Sequence, residues 1–196
     1  MFFLTEPGEK EVESFLKEQS SLPLSYSEIG QTKAQPPAHY TIDSNGIKLG
    51  EGEETFKQAV QAVRQWQMFN LDWIKMAKPL PPIAEGECVA IIASHFGFWS
   101  LNACKIVYVV DEDDYQFSRF GFAYGTLPDH AESGEERFTV EYDKKTQSVF
   151  YEIFAFSKPA KLLTKLAFPI TRKCQKRFAS ESKQAMLRAV NAVVAT

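Results

Sequence analysis

The sequence predicts an α+β fold in which a curved antiparallel sheet of about six or seven strands wraps on a long C-terminal helix. Three observations predict it. Between Cys88 and Phe156, segments rich in β-branched and aromatic residues follow one another, and the connectors "DEDDYQ" and "DKKTQ" are short, polar and turn-prone. From about Thr171 to Val194 small and apolar residues recur at helical spacing opposite a basic face. The chain has 196 residues, 44% apolar and 13% aromatic. That length suffices to bury roughly 70% of its unfolded surface.

Taken in order, Val12, Phe15 and Leu16 mark a short amphipathic helix that starts behind Thr5 and Pro7 and ends near Ser20. "SLPLSYSEIGQTKAQPPAH" reads as turn, short extended piece and Pro-rich connection, and "HYTIDSNGIKLG" as a strand whose end is marked by the Asn45-Gly46 pair. From Thr55 to about Met68, Phe56, Ala59, Val60, Val63 and Trp66 share a helix face. "MFNLDWIKM" is strand-like. Strands are then expected at Cys88 to Phe96, Cys104 to Val110, Phe117 to Tyr124, Arg137 to Tyr142 and Ser148 to Phe156. Ser157 reads as an N-cap, with Pro159 in the first turn of a helix that Pro169 bends or breaks. In the last helix Cys174, Phe178, Ala185, Ala189, Ala192 and Val193 share a side. Small residues there let the helix approach the sheet or leave space beneath it, and the curved aromatic sheet favours space. No composition shift divides the chain, so residues 1–196 read as one domain, the N-terminal helix and extended segment of 1–38 packing on a core of 39–196.

Charge is unevenly spread. From Ser157 onward nine Lys/Arg face one acid, Glu181, so the tail carries +8 and the rest −11 within a net charge of −3. Such a tail can dock on an anionic surface or pack on the acidic body. Cys88, Cys104 and Cys174 are an odd number without metal spacing, as in a reducing compartment. The start "MFFLTEPGEKEVES" turns acidic too soon for a signal peptide, and no apolar run approaches the ~18 residues of a membrane span. The expected setting is the cytoplasm, in solution or peripheral to a membrane.

No hydrolase, zincin or nucleotide-binding motif is present, and three histidines make a His-rich metal site hard to build. Neither metal nor cofactor is expected. Gly50 and Gly52 precede a helix, but Glu51, Glu53 and Glu54 crowd that end and repel phosphate. Ser94 and His95 are strand neighbours on opposite faces, which excludes a nucleophile and its base. The remaining polar concentration is "YGTLPDHAESGEERF", where His130 with Glu132, Glu135 or Glu136 can form an acid/base pair beside Arg119 and Tyr124, or simply a structural loop.

That stretch also carries a resemblance. "RFGFAYGTLPDHAESGEERF", with "PLSYSEIGQT", "LGEGEETFKQAVQAVRQWQMF" and "FAFSKPAKLL", closely resembles a family of bacterial and plant proteins catalogued as a domain of unknown function, and the resemblance spans nearly the whole chain. It implies no reaction. Where the family pattern favours Arg before Pro159, this chain has Lys158, which lacks the bidentate fork. The layout is similar to helix-grip, START-like proteins, which hold an apolar ligand between a curved sheet and the last helix and include both carriers and enzymes.

Three functional expectations follow. The first is a binding protein for a small hydrophobic or amphipathic ligand, in a cavity lined from Trp99, Phe120, Phe122, Tyr124, Phe150 and Phe154 under Ala189; the same aromatics can equally fill a solid core. The second is an enzyme on such a ligand, with His130 and Glu135 or Glu136 as acid and base and Tyr124 or Arg119 orienting the substrate. The third sets Lys161, Lys165, Lys173, Lys176 and Arg177 against an anionic membrane or a partner. Nucleic acid is not an expected partner, because the basic residues are not interleaved with exposed aromatics.

Overall fold

The computed structural model describes every residue except 35, 96, 161–167 and 193–196. Its strands are β1 (Phe2–Phe3), β2 (Thr41–Glu51), β3 (Ile74–Met76), β4 (Cys88–His95), β5 (Phe98–Asp113), β6 (Phe117–Thr126), β7 (Glu132–Asp143) and β8 (Ser148–Pro159). The helices are α1 (Glu9–Ser20), α2 (Glu53–Arg64) and α3 (Phe168–Ala192). One antiparallel sheet runs in the order β2-β8-β7-β6-β5-β4-β3, and β1 pairs with the start of β5 at Trp99 and Ser100. The sheet curls around α3, as the sequence predicts. Register shifts between Ile106 and Tyr108 and between Lys48 and Gly50 bend it; an extra residue in one strand increases local twist.

Strand parity divides the molecule. On the concave face, Phe122, Phe138, Tyr151 and Ile106 are buried under α2 and the C-terminal half of α3. Trp66 lies 4.8 Å from Phe122 and Phe69 5.5 Å from Phe138, ring centre to ring centre. On the convex face, α1 sets Val12 and Phe15 against Ala90, Ile92, Leu101 and Leu127. The segment after α1 brings Tyr26 and Tyr40 edge-on to Phe156 at 5.7 and 5.0 Å.

Several boundaries differ from expectation, each for a tertiary reason. Asn45-Gly46 is not a turn: β2 runs straight through it, because β8 supplies a partner along the whole strand and pairs Asn45 with Ile153 and Gly46 with Glu152. α2 stops at Arg64, and Trp66 closes it with φ 58°, held by burial and by its Nε1 donating to Pro81 O at 3.1 Å. Of "MFNLDWIKM" only Ile74–Met76 is strand; Gln67–Phe69 is a single 3-10 turn. Ser157 is no N-cap: it and Pro159 still belong to β8, paired with Gly134 and Glu132. The rest of the helix expected there lies largely outside the described residues, with Lys161 and Lys165. Pro169 lies near the start of α3 as described, and the helix expected to lead into it falls outside the described residues.

A candidate ligand cavity

The concave face is not filled throughout. The C-terminal half of α3 buries Ala185, Met186 and Val190 close against α2 and the sheet, so the small residues give close approach there, and Ala192 is exposed. Under the N-terminal half of α3, from Ile170 to Ala179, a cavity of about 790 Å³ opens between the helix and the ends of β2 and of β4 through β8. Its apolar walls are Phe69, Trp73, Ile74, Ile91, Phe178 and Ala179.

Polar groups converge on this space from several strands. Going back along β7 from Phe138, alternate residues point inward, which brings Glu136 and Glu132 to the cavity. Tyr124 Oη donates to Glu136 at 2.8 Å. Burial pushes the pKa of this carboxyl up to about 7; the Tyr124 hydrogen bond opposes the rise and the charge of Asp43 adds to it. Burial also raises Glu132, while the hydroxyl of Ser157, the charge of Arg172 and the amide of Gln175 oppose the shift. Gln175 Nε2 of α3 donates to Glu132 at 3.0 Å and to Ser157 Oγ at 3.1 Å. Near the mouth, Arg172 grips Asp43 of β2 with two bonds of 2.5 and 2.7 Å, fastening the start of α3 to the sheet.

His95 and Cys174 also line the cavity, with Nδ1 and Sγ 3.7 Å apart. Burial lowers the imidazole pKa and raises that of the thiol. Both shifts favour the neutral pair over a thiolate and imidazolium.

Only some of the expected site residues meet here. Tyr124, Glu136 and His130 line the cavity, and His130 Nδ1 lies 3.0 Å from the Glu132 N and 3.1 Å from the Glu132 O, its tautomer deciding which bond it makes. Glu135 does not present its carboxylate to the cavity: it faces the convex side, where it accepts from Tyr26 Oη and Gly30 N at 2.7 Å and from Thr32 N at 3.0 Å, and also binds the Thr32 hydroxyl. Phe120 and Phe122 point inward but are sealed under α2, with the Arg64 guanidinium 4.2 Å from the Phe120 ring. Ala189 packs against the same filled core.

Phe150 and Phe154 lie on the outer face of β8, because the Phe138–Ile153 pairing turns Tyr151 and Ile153 inward. Phe150 is 42% exposed and Phe154 lies beneath Arg137. Arg119 is outward too, 2.5 Å from Glu141, and Trp99 lies beside Lys75. None of these four lines the cavity, and neither do Phe120, Phe122 or Ala189. Of the basic tail, Lys173, Lys176 and Arg177 are exposed on α3; Arg177 pairs with Glu181 at 2.7 Å and lies over the Trp73 ring.

His95, Cys174, Gln175, Asp43 and Arg172 were not among the expected site residues. His95 was legible by parity, since Ile91 and Ala93 before it face inward. The Arg172–Asp43 contact joins residues 129 apart and left no sequence signal. Among the described residues no group of three or more His, Cys, Asp and Glu side chains is placed to hold a metal ion, and no helix is long and apolar enough to cross a membrane.

Comparison with known proteins agrees with the resemblance carried by the central motif. The chain is 34% identical to a UPF0548 protein of Dictyostelium discoideum over 97% of its own length and 96% of that protein's. It is 34% identical to a UPF0548 protein of Arabidopsis thaliana over 78% of its length and 75% of the relative's. Among solved structures it is similar to human STARD10, with a TM-score of 0.47 and 10% identity, covering 95% of this chain and 80% of that one. Residues 25–185 match the model of the domain of unknown function DUF1990, and the chain belongs to that family.

Proposed function

We propose that the protein binds or carries a small hydrophobic or amphipathic molecule between the sheet and the N-terminal half of α3. The observation that carries this reading is the cavity itself. Close-packed interiors leave few voids larger than a water molecule, whereas about 790 Å³ walled by aromatic and aliphatic side chains, with a few convergent polar groups, is the size and character of a ligand site. The acid/base reading has less support, because one of its two carboxylates, Glu135, is committed to the convex face.

Ala179→Trp extends an indole from α3 into the cavity and is expected to weaken uptake of the neutral dye N-phenyl-1-naphthylamine at least about tenfold, each 1.4 kcal/mol of lost affinity being tenfold. Cys174→Phe, at a half-buried position on the same wall, guards against a Trp variant that fails to fold. Fluorescence titration reads both. Wild-type uptake by two folded variants would overturn the placement.

A second reading rests on the rim. Ile42, Phe2 and Ile170 line the cavity yet are 45%, 58% and 53% exposed, and Lys173 and Lys176 are exposed on the same stretch of α3. Apolar side chains beside lysines suit contact with an anionic bilayer from which a carrier would load. Co-sedimentation with phosphatidylserine vesicles is expected to exceed that with phosphatidylcholine vesicles and to fall with salt. Equal binding to both removes this reading.

A further inference from the structure

Resting on the cavity-binding reading, we infer that the ligand carries a protonated amine head, seated on the Glu136 carboxyl and its Tyr124 partner, with its apolar body against Phe69, Trp73 and Phe178. The charges lining the space argue for it. Asp43, Glu132 and Glu136 all line the cavity, and among the described residues its one basic lining group, apart from the imidazoles of His95 and His130, is Lys176, with Arg172 beside the mouth on Asp43. Arg172 is engaged by Asp43, and Lys176 stands exposed at the rim. Neither pairs with Glu136, whose one side-chain hydrogen-bond partner among the described residues is Tyr124.

A second carboxyl points the same way. Glu132 is only 9% exposed, and its Oε1 is buried without a hydrogen-bond partner among the described residues. Buried carboxyl oxygens without donors are costly, and a ligand that brings donors removes the cost. A carboxylate head would instead meet Glu132 and Glu136 in a space walled largely by apolar side chains, where like charges repel strongly. Glu136 is also placed to neutralise a cation: burial raises its carboxyl to about 7, and an ammonium beside it would favour the charged form again. Tyr124 and Phe69 also line the space, and an aromatic ring face is attractive to a cation.

The test holds the tail constant and changes the head. Octylamine, octanol and octanoate are titrated against bound N-phenyl-1-naphthylamine at pH 8, on the wild type and on Glu136→Gln. Octylamine is expected to displace the dye at about a tenfold lower concentration than octanoate, and Glu136→Gln to cost it about tenfold while octanol is unchanged, the scale of one lost charge-assisted hydrogen bond. Tyr124→Phe, which keeps the ring and removes the Oη, is expected to cost octylamine a smaller factor and provides a second variant if Glu136→Gln misfolds. Octanoate binding as well as octylamine, or an amine preference that survives Glu136→Gln, overturns the assignment. A wild type that takes up dye but ignores the head group overturns this inference alone. A wild type that takes up no dye overturns the cavity reading and this inference with it.

Discussion

Gly121→Ala is expected to leave little folded protein at 25 °C. Gly121 sits in the middle of β6 opposite Thr139 of β7, where a Cβ would come within 2.1 Å of the Phe138 carbonyl oxygen and 2.8 Å of the Thr139 Cα. These are backbone atoms of a strand hydrogen-bonded on both sides, to β6 and to β8, so neither can move without breaking register across the centre of the sheet. Overlap of that depth belongs to the rare class of substitutions costing more than ~4 kcal/mol. Against a typical total of about 5–15 kcal/mol that is most of a domain's stability. Gly125→Ala supplies the graded comparison. There the new Cβ meets the Tyr26 ring, 2.2 Å from its Oη, and a side chain can swing away at the loss of its bond to Glu135 and its edge contact with Phe156. Urea denaturation should rank the two, Gly125→Ala losing roughly 2 kcal/mol. A Gly121→Ala midpoint close to the wild type would show that β6 and β7 do not approach this closely.

These glycines also explain the small residues of the central motif. In "RFGFAYG" the inward residues Phe120, Phe122 and Tyr124 are aromatic, while the outward ones after Arg119 are Gly121, Ala123 and Gly125. Small outward residues let Tyr26 and its neighbours lie flat on the convex face. The alternation was visible in the sequence, but the segment that covers the small side was not, because its contact with β6 joins residues about a hundred positions apart in the chain.

The same limit governs the polar stretch that follows. "LPDHA" is the turn, and "ESGEE" is strand, which neither the active-site nor the loop reading of the insert anticipated. Carrying the parity of Phe138, Val140 and Tyr142 backward would have put Glu136 and Glu132 inward and Glu135 outward. The expected strand began at Arg137 because acids and a glycine are poor strand formers, and here tertiary pairing with β6 and β8 overrides that propensity. The sheet, its antiparallel order and the last helix were legible because hairpin turns and helical spacing are local signals. Where the cavity opens was not, since it depends on which half of α3 meets α2. The cavity lies one half-helix away from Ala189, and a bulky residue at that position tests core packing rather than uptake.

Glu135→Ala is expected to release the segment that follows α1 from the convex face and to cost more than ~3 kcal/mol. The carboxylate is 2% exposed and gathers four donors: the Tyr26 hydroxyl, the Gly30 and Thr32 amides and the Thr32 hydroxyl. Alanine would leave two backbone N–H groups and two hydroxyls without their acceptor, at about 1–3 kcal/mol for each that water cannot reach. Glu135→Gln makes the test sharper. It keeps the shape and one acceptor oxygen but turns an NH2 toward a site built only from donors, so it too should destabilise, by roughly 2 kcal/mol. Hydrogen exchange at the Gly30 and Thr32 amides reads the loss directly, and proteolysis between Ser21 and Ala34 should quicken in both variants. Dye uptake separates this role from catalysis or ligand contact, because the Glu135 side chain is turned away from the cavity. The Gln variant, if folded, should bind N-phenyl-1-naphthylamine as the wild type does, with its amides exchanging faster. Unchanged exchange together with lost uptake would return Glu135 to the ligand site and remove it from the clamp.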